Sequence, residues 1–375
     1  MDDCLRPTRG SAPGPALPQR GAFGRHVEPG NADAGAIAIP RRGFSSRVYA
    51  ALDLGTNNCR LLIARPAAGG FRVVDAFSRI VRLGEGVCSN GRLGEAAADR
   101  AIEALRICAD KIAARGVIRG RYIATEACRL AEDGPDFVAR VKEETGLELD
   151  IVDRATEARL AACGCFPLVD PQADGVVLFD IGGGSTELVW VDRVRRHAPM
   201  GSPRIRSWVS LPAGVVTLAE RYGGIQVTPD VFKAMVEEVT LLIASFPERL
   251  TLAEAASRLH LLGTSGTVTT IAGIHLGLER YERGKVDGIW LDDPAITDVV
   301  SDLQRMSYEE RIASPCIGKE RADLVLAGCA ILEAIRRAFP CARLRVADRG
   351  LREGILLELM RADGAWRLIR GTDAA

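Results

Sequence analysis

Residues 179–190 read FDIGGGSTELVW, in which an aspartate, three glycines, two hydroxyl residues and a glutamate are set between apolar runs. A glycine-rich turn clears side chains from the path of an anion, so backbone N–H groups and flanking hydroxyls can cradle a phosphate. The Asp180 carboxylate just before the turn would repel a bare phosphate; its position makes sense if a Mg²⁺ ion lies between the two, held directly or through water. Two other stretches repeat the design. ALDLGTNNCRLLI at 51–63 sets Asp53 before Gly55, Thr56 and Asn57, and GTSGT at 263–267 brings Ser265, Gly266 and Thr267 to the head of a helix. Each feature has a plainer reading: glycine closes tight turns at positive φ, Asp53 can cap its own turn, and the 265–267 stretch can simply cap its helix. Three such loops converging on one cleft would suit a ligand carrying several phosphates. They are not Walker loops, because GxxxxGK[ST] is absent and no GxGxxG follows a strand.

The elements that must position these loops form a repeating pattern. RVYAALDLGTNNCRLLIARP reads as a hairpin, FRVVDAFSRIVRL as a third strand and LGEAAADRAIEALRICADKIAARG as an amphipathic helix ending at Gly116. A short buried strand at RYIATEA, a helix with Asp133 near its start, a strand at LELDIVD and a helix at ATEARLAACGC complete a first half. After the polar joint at 168–175 the pattern begins again with strand, glycine turn and strand, then a strand near Ile205 to Leu211, helices to about Phe246, and strand, turn and helix from Arg258. ALDLGTNNCRLLI and LFDIGGGSTELVW share the order apolar, Asp, apolar, Gly, polar, apolar, which marks an internal duplication. The expected division is a disordered tail over 1–46, rich in Pro, Gly, Ala and Arg, one α/β domain over 47–169 and a second over 170–375, closed by the helix at RGLREGILLELMRA, for which packing back on the first domain is an open alternative.

Composition narrows the function. The 375 residues carry 49 basic and 49 acidic side chains, a formal net charge of zero, so no basic excess suits the chain to coating nucleic acid. No apolar run reaches membrane-spanning length. The ten cysteines show no CxxC and the four histidines are scattered, so reduced, mostly buried thiols in a cytoplasmic protein are expected.

The blocks ALDLGTNNCRLLI, ATEACRLAED, VDRATEARLAACG, FDIGGGSTELVW, GTSGTVTTIA and ADRGLREGIL, in this order and spacing, resemble the exopolyphosphatase/guanosine pentaphosphate phosphatase (Ppx/GppA) family over about residues 47 to 362. The resemblance implies two ribonuclease-H-like domains of the actin/Hsp70/sugar-kinase superfold around a phosphate cleft, with Mg²⁺ as cofactor and inorganic polyphosphate or guanosine pentaphosphate (pppGpp) as substrate, and it allows a homodimer. Carried over residue by residue, Glu157 matches the catalytic glutamate, preceded here by Thr156 where the family usually has a second glutamate. Glu187 closes the G-G-G-S-T-E block as a catalytic and metal-associated carboxylate, Asp180 is the metal-associated aspartate, and Arg129 matches a phosphate-contacting arginine. Gly183, Gly184, Ser185 and Thr186 belong to the phosphate-binding set, with Asp53, Gly55, Thr56, Asn57, Ser265, Gly266 and Thr267. Asp133 stands where many members have Asn. The longer members' additional C-terminal helical region is not in this sequence, which makes a preference for short chains or pppGpp plausible. A sugar or acyl kinase on the same superfold, and an actin-like protein that binds nucleotide without hydrolysing it, are the rival readings.

Overall fold

The computed structural model describes residues 46–192 and 203–366, so the expected tail lies, but for its last residue, outside the described residues. A first sheet is built from β1 (Tyr49–Leu54), β2 (Asn58–Ala67), β3 (Gly70–Ile80), β4 (Arg119–Ala124) and β5 (Asp150–Ile151). Its order is β3-β2-β1-β4-β5, antiparallel through the first three strands and parallel from β1 outward. The second sheet contains β6 (Gly175–Ile181), β7 (Thr186–Asp192), β8 (Ile205–Leu211), β9 (Leu259–Thr264), β10 (Trp290–Asp292) and β11 (Arg343–Ala347). Read from β8, its order is β8-β7-β6-β9-β11, with β10 added antiparallel at the far edge. The two sheets thus share one ribonuclease-H-like topology, the architecture of the actin/Hsp70/sugar-kinase superfold.

Both central strands are buried on both faces, which explains their near-continuous apolar sequence. Along β1, Ala50, Leu52 and Leu54 face one core while Tyr49 and Ala51 face another. Val177, Phe179 and Ile181 of β6 likewise enter the large core under the helices Pro229–Ile243 and Val325–Ala338, and Val176 and Leu178 enter a smaller one.

The inner cores are filled by exchange. The helix Arg154–Cys165, which follows β5, lays Ala158, Ala162 and Cys165 on Val176, Leu178 and Val189 of the second sheet. The helix Leu351–Ala362, which follows β11, lays Leu351, Ile355 and Met360 on Tyr49, Ala51 and Leu62 of the first. Beyond it, the Trp366 indole donates to the Gly70 carbonyl at 2.7 Å and the Tyr49 hydroxyl to Asp363 at 2.9 Å. The two helices approach backbone to backbone at two glycines. A Cβ on Gly164 would stand 1.9 Å from the Gly350 carbonyl oxygen, and one on Gly354 would stand 2.0 Å from that of Leu160.

Some elements differ from the sequence reading. The strand expected over 147–153 pairs only at Asp150–Ile151, and β10 and β11 lie where no strand was expected. Asp133 stands at the start of the helix Gly134–Thr145 but does not cap it; its carboxylate accepts from the Leu93 N–H at 3.0 Å. All nine described cysteines are free and only Cys88 is exposed. Among the described residues, no helix is long and apolar enough to cross a membrane.

Candidate active site

The tips of the β1–β2 and β6–β7 hairpins meet in a cleft with the N-terminal end of the helix Gly266–His275. The lining takes in Asp53, Gly55, Thr56 and Asn57 from the first hairpin, and Asp180, Gly183, Gly184, Ser185 and Glu187 from the second. Ser265, Gly266, Thr267 and Glu157 complete the part anticipated from sequence.

The glycines of the second hairpin tip are required by proximity rather than by handedness. Gly55, Gly182, Gly183 and Gly184 are not among the positive-φ residues. A Cβ on Gly183 would stand 2.8 Å from the Thr56 Cβ, and one on Gly184 would stand 2.9 Å from both Thr56 Oγ1 and Glu126 Cγ. Glycine lets the two hairpin tips touch. Among the described residues, the N–H groups of Thr56, Asn57, Gly183 and Gly184 have no hydrogen-bond partner, the condition for a main-chain anion cradle. The third loop behaves alike: Ser265 has φ of 83° and donates its hydroxyl to the Ile181 carbonyl instead of capping the helix. The first N–H groups of that helix therefore face the cleft uncapped, where the helix dipole favours an anion.

Four carboxylates gather opposite these donors. Asp180 and Glu187 are register partners across β6–β7. Burial pushes the Asp180 carboxyl up to about 7, reinforced by Glu187 and Asp53. Burial also raises Asp53 and Glu187; the latter rises despite hydroxyl hydrogen bonds from Ser185 and Ser210, both 2.8 Å. Glu157 sits in the first turn of the helix Arg154–Cys165, whose start is fixed by the Asp153 carboxylate accepting from the Thr156 N–H at 2.7 Å. Burial and then the Glu187 charge push Glu157 well above the usual carboxylate range, against the pull of Arg129.

Two residues expected at the ligand, Thr186 and Arg129, make hydrogen bonds within the protein. Thr186 is fully buried, and its hydroxyl donates to the Ala213 carbonyl at 2.6 Å, tying down the loop from below. Arg129 does not line the cleft, and four of its five N–H donors are engaged: Glu126 accepts two, Glu157 one at 3.0 Å and the Val152 carbonyl one at 2.5 Å. Its place is behind Glu157, holding it.

Sequence reasoning missed Glu126, Arg60 and Arg321. Glu126 is 3% exposed and is held ionised, its carboxyl below the usual range, because Arg154 and Arg129 bind it against the cost of burial. Arg60 and Arg321 line the cleft with no ion pair or side-chain hydrogen bond among the described residues, although nearly every other cleft-side arginine is matched to an acid. Both also line an adjoining cavity bounded by Arg283, Arg349 and Arg352.

Glycine cradles, uncapped helix amides and clustered carboxylates between two ribonuclease-H-like sheets define a phosphate-handling member of the actin-like superfold. Residues 62–363 match the Ppx/GppA phosphatase family, and the chain belongs to it. Among solved structures, the Ppx/GppA family member of Aquifex aeolicus is 28% identical, with a TM-score of 0.68 over 84% of this chain and 98% of that one. An exopolyphosphatase-like protein is also 28% identical, with a TM-score of 0.75 over 84% of this chain and 98% of its own. An exopolyphosphatase from Cytophaga hutchinsonii, 23% identical over 85% of this chain and 98% of that one with a TM-score of 0.74, speaks for the fold alone. This chain is therefore a phosphatase of that family, a hydrolase.

Proposed function

We propose that the chain releases terminal phosphate from inorganic polyphosphate by hydrolysing the phosphoanhydride bond, with pppGpp as the alternative substrate at the same site. The observation that carries this reading is the pairing of three unsatisfied main-chain cradles and two unpaired arginines, Arg60 and Arg321, with one raised carboxylate, Glu157. Anhydride hydrolysis asks for little covalent chemistry from the protein beyond holding a chain of phosphates and aligning a water with the scissile bond. The loops at Gly55–Asn57, Gly183–Ser185 and Ser265–Thr267 bind successive phosphoryl groups, and the arginines neutralise those further out. Glu157, fixed by Arg129 at 3.0 Å, takes the proton of the attacking water; its raised affinity for a proton makes it a stronger base.

A hydrated Mg²⁺ fits the remaining donors. No group of three or more His, Cys, Asp or Glu among the described residues could enclose a metal ion, and Mg²⁺ usually keeps several waters while taking one or two carboxylates and substrate phosphate. Asp180 and Glu187 would supply the carboxylates. The buried Asn57 and Asn58 Oδ1 atoms, which have no partner, are acceptors suited to metal-bound water. The ion's contribution when bound is neutralisation of phosphoryl charge. Free, mostly buried thiols suit a reducing cytoplasm.

The test is Mg²⁺-dependent phosphate release from long polyphosphate, tripolyphosphate and pppGpp in parallel. Glu157→Gln should lower the rate by ~10²–10⁴-fold, the usual contribution of a positioned base, and leave ligand binding largely intact. Near wild-type turnover in that variant would remove Glu157 from its role. Release from pppGpp alone would move the chain to alarmone turnover, and release from none would favour a nucleotide-binding protein without hydrolysis.

A further inference from the structure

Arg82 lies outside the cleft lining, yet two independent observations tie it to the cleft. Its φ of 48° makes it, with Ser265, one of two non-glycine residues in the left-handed region among those described, a conformation that L residues keep only where surrounding structure enforces it. What enforces it is visible on both sides. The main chain of Val81 and Arg82 donates to the Asn57 carbonyl at 2.9 and 3.1 Å, and Gly84 donates to that of Thr56 at 2.8 Å, so this turn underpins the first cradle. The Arg82 guanidinium reaches across to Asp323, making bonds of 2.9 and 3.0 Å to its two carboxylate oxygens, and gives a third bond of 3.0 Å to the Glu320 carbonyl.

Asp323 is two residues from Arg321. The turn holding both is seated tightly on the second half, where a Cβ on Gly224 would stand 1.8 Å from the Asp323 carbonyl oxygen. One bidentate pair therefore joins the segment beneath the Thr56–Asn57 cradle to the segment that carries an unpaired cleft arginine. A planar guanidinium fork on a carboxylate fixes orientation as well as distance.

We infer that Arg82 and Asp323 form a positioning clamp that sets Arg321 against the first phosphate cradle. The pair touches no reacting atom. It acts through Asn57 on one side and Arg321 on the other, and in its effect on substrate it rests on the anhydride reading above.

Arg82→Gln and Asp323→Asn should each raise KM for tripolyphosphate by about three- to tenfold, the scale expected for a half-buried bidentate pair, with kcat within about twofold. The reversed pair R82D/D323R should recover most of the loss. A second readout does not depend on activity. Cys88 is the one exposed cysteine among those described, so in a Cys4→Ser background fluorophores at Cys88 and at Lys319→Cys report the separation of the two segments. Asp323→Asn should lengthen or broaden that distance. Unchanged KM together with an unchanged distance would overturn the clamp, as would kcat/KM and kcat falling together with melting temperature in all variants, the reversed pair included. If the wild-type chain neither binds nor hydrolyses tripolyphosphate, the substrate reading fails, and the label distance alone then decides the clamp: lengthened upholds it, unchanged sinks it.

Discussion

The hairpins β1–β2 and β6–β7 are the same device with one charge reversed. In each, an aspartate is the last residue but one of the buried strand, a glycine-containing tip follows, and the register partner of the aspartate lies seven residues on: Arg60 opposite Asp53, Glu187 opposite Asp180. The backbone frame is shared, so the difference in duty comes from the partner. Arg60 turns the first hairpin toward anions. Glu187 makes the second hairpin doubly acidic, and both acids there rise above their ordinary range. On the proposed reading, the duplicated frame is divided between the two charges that a metal–phosphate complex presents.

Copying one hairpin's partner into the other is the largest perturbation of this contrast. Glu187→Arg places a cation where a metal should be held and should lower Mg²⁺-dependent phosphate release by ~10³-fold or more. Arg60→Glu should act chiefly through KM, by ~10–10²-fold, the scale of a lost charged hydrogen bond. Equal losses in the two variants would mean that the hairpins do not divide the work. The titration of Asp180 sharpens the comparison. Its carboxyl is at about 7 in the folded chain against an ordinary 3.8, so the folded state holds a proton that the unfolded state releases, and the stability this confers is lost as pH rises from about 4 to about 7. A cation needs the ionised form, so the rise in melting temperature caused by Mg²⁺ should grow from pH 5 to pH 8, and Asp180→Asn should flatten that dependence. The smallest effect is at the base of the loop. Thr186→Val removes the hydrogen bond to the Ala213 carbonyl and should cost about 1–2 kcal/mol in urea unfolding, with kcat and KM unchanged.

How much of this could be read from sequence depended on whether the signal was local. The strand–turn–strand openings, the helix bearing Glu157 and the closing helix were legible, because apolar runs broken by glycine identify buried strands without reference to the rest of the chain. Strand β11 was not, since its RLRVA is only five residues long and alternates over too few positions to stand out. Arg60 stood inside a recognised block but looked like any strand arginine; only its register against Asp53 shows where it points. Arg321 lies in a turn between helices and reaches the cleft solely through tertiary packing. Arg129 shows the converse: its block was recognised, but the three acceptors that engage most of its donors, one of them a glutamate that drew no notice, come together only in the fold.

The exchange of helices between the sheets bears on the order in which the chain can be made. Synthesis delivers β1 to β5 long before residues 351–362, so the face formed by Tyr49, Ala51 and Leu62 leaves the ribosome without the side chains that cover it. Domains usually finish folding as they emerge; here the first sheet waits about two hundred residues for its other cover. The earlier half of this protein is thus completed by a helix translated long after its own strands, and until then the face of Tyr49, Ala51 and Leu62 lacks its native cover.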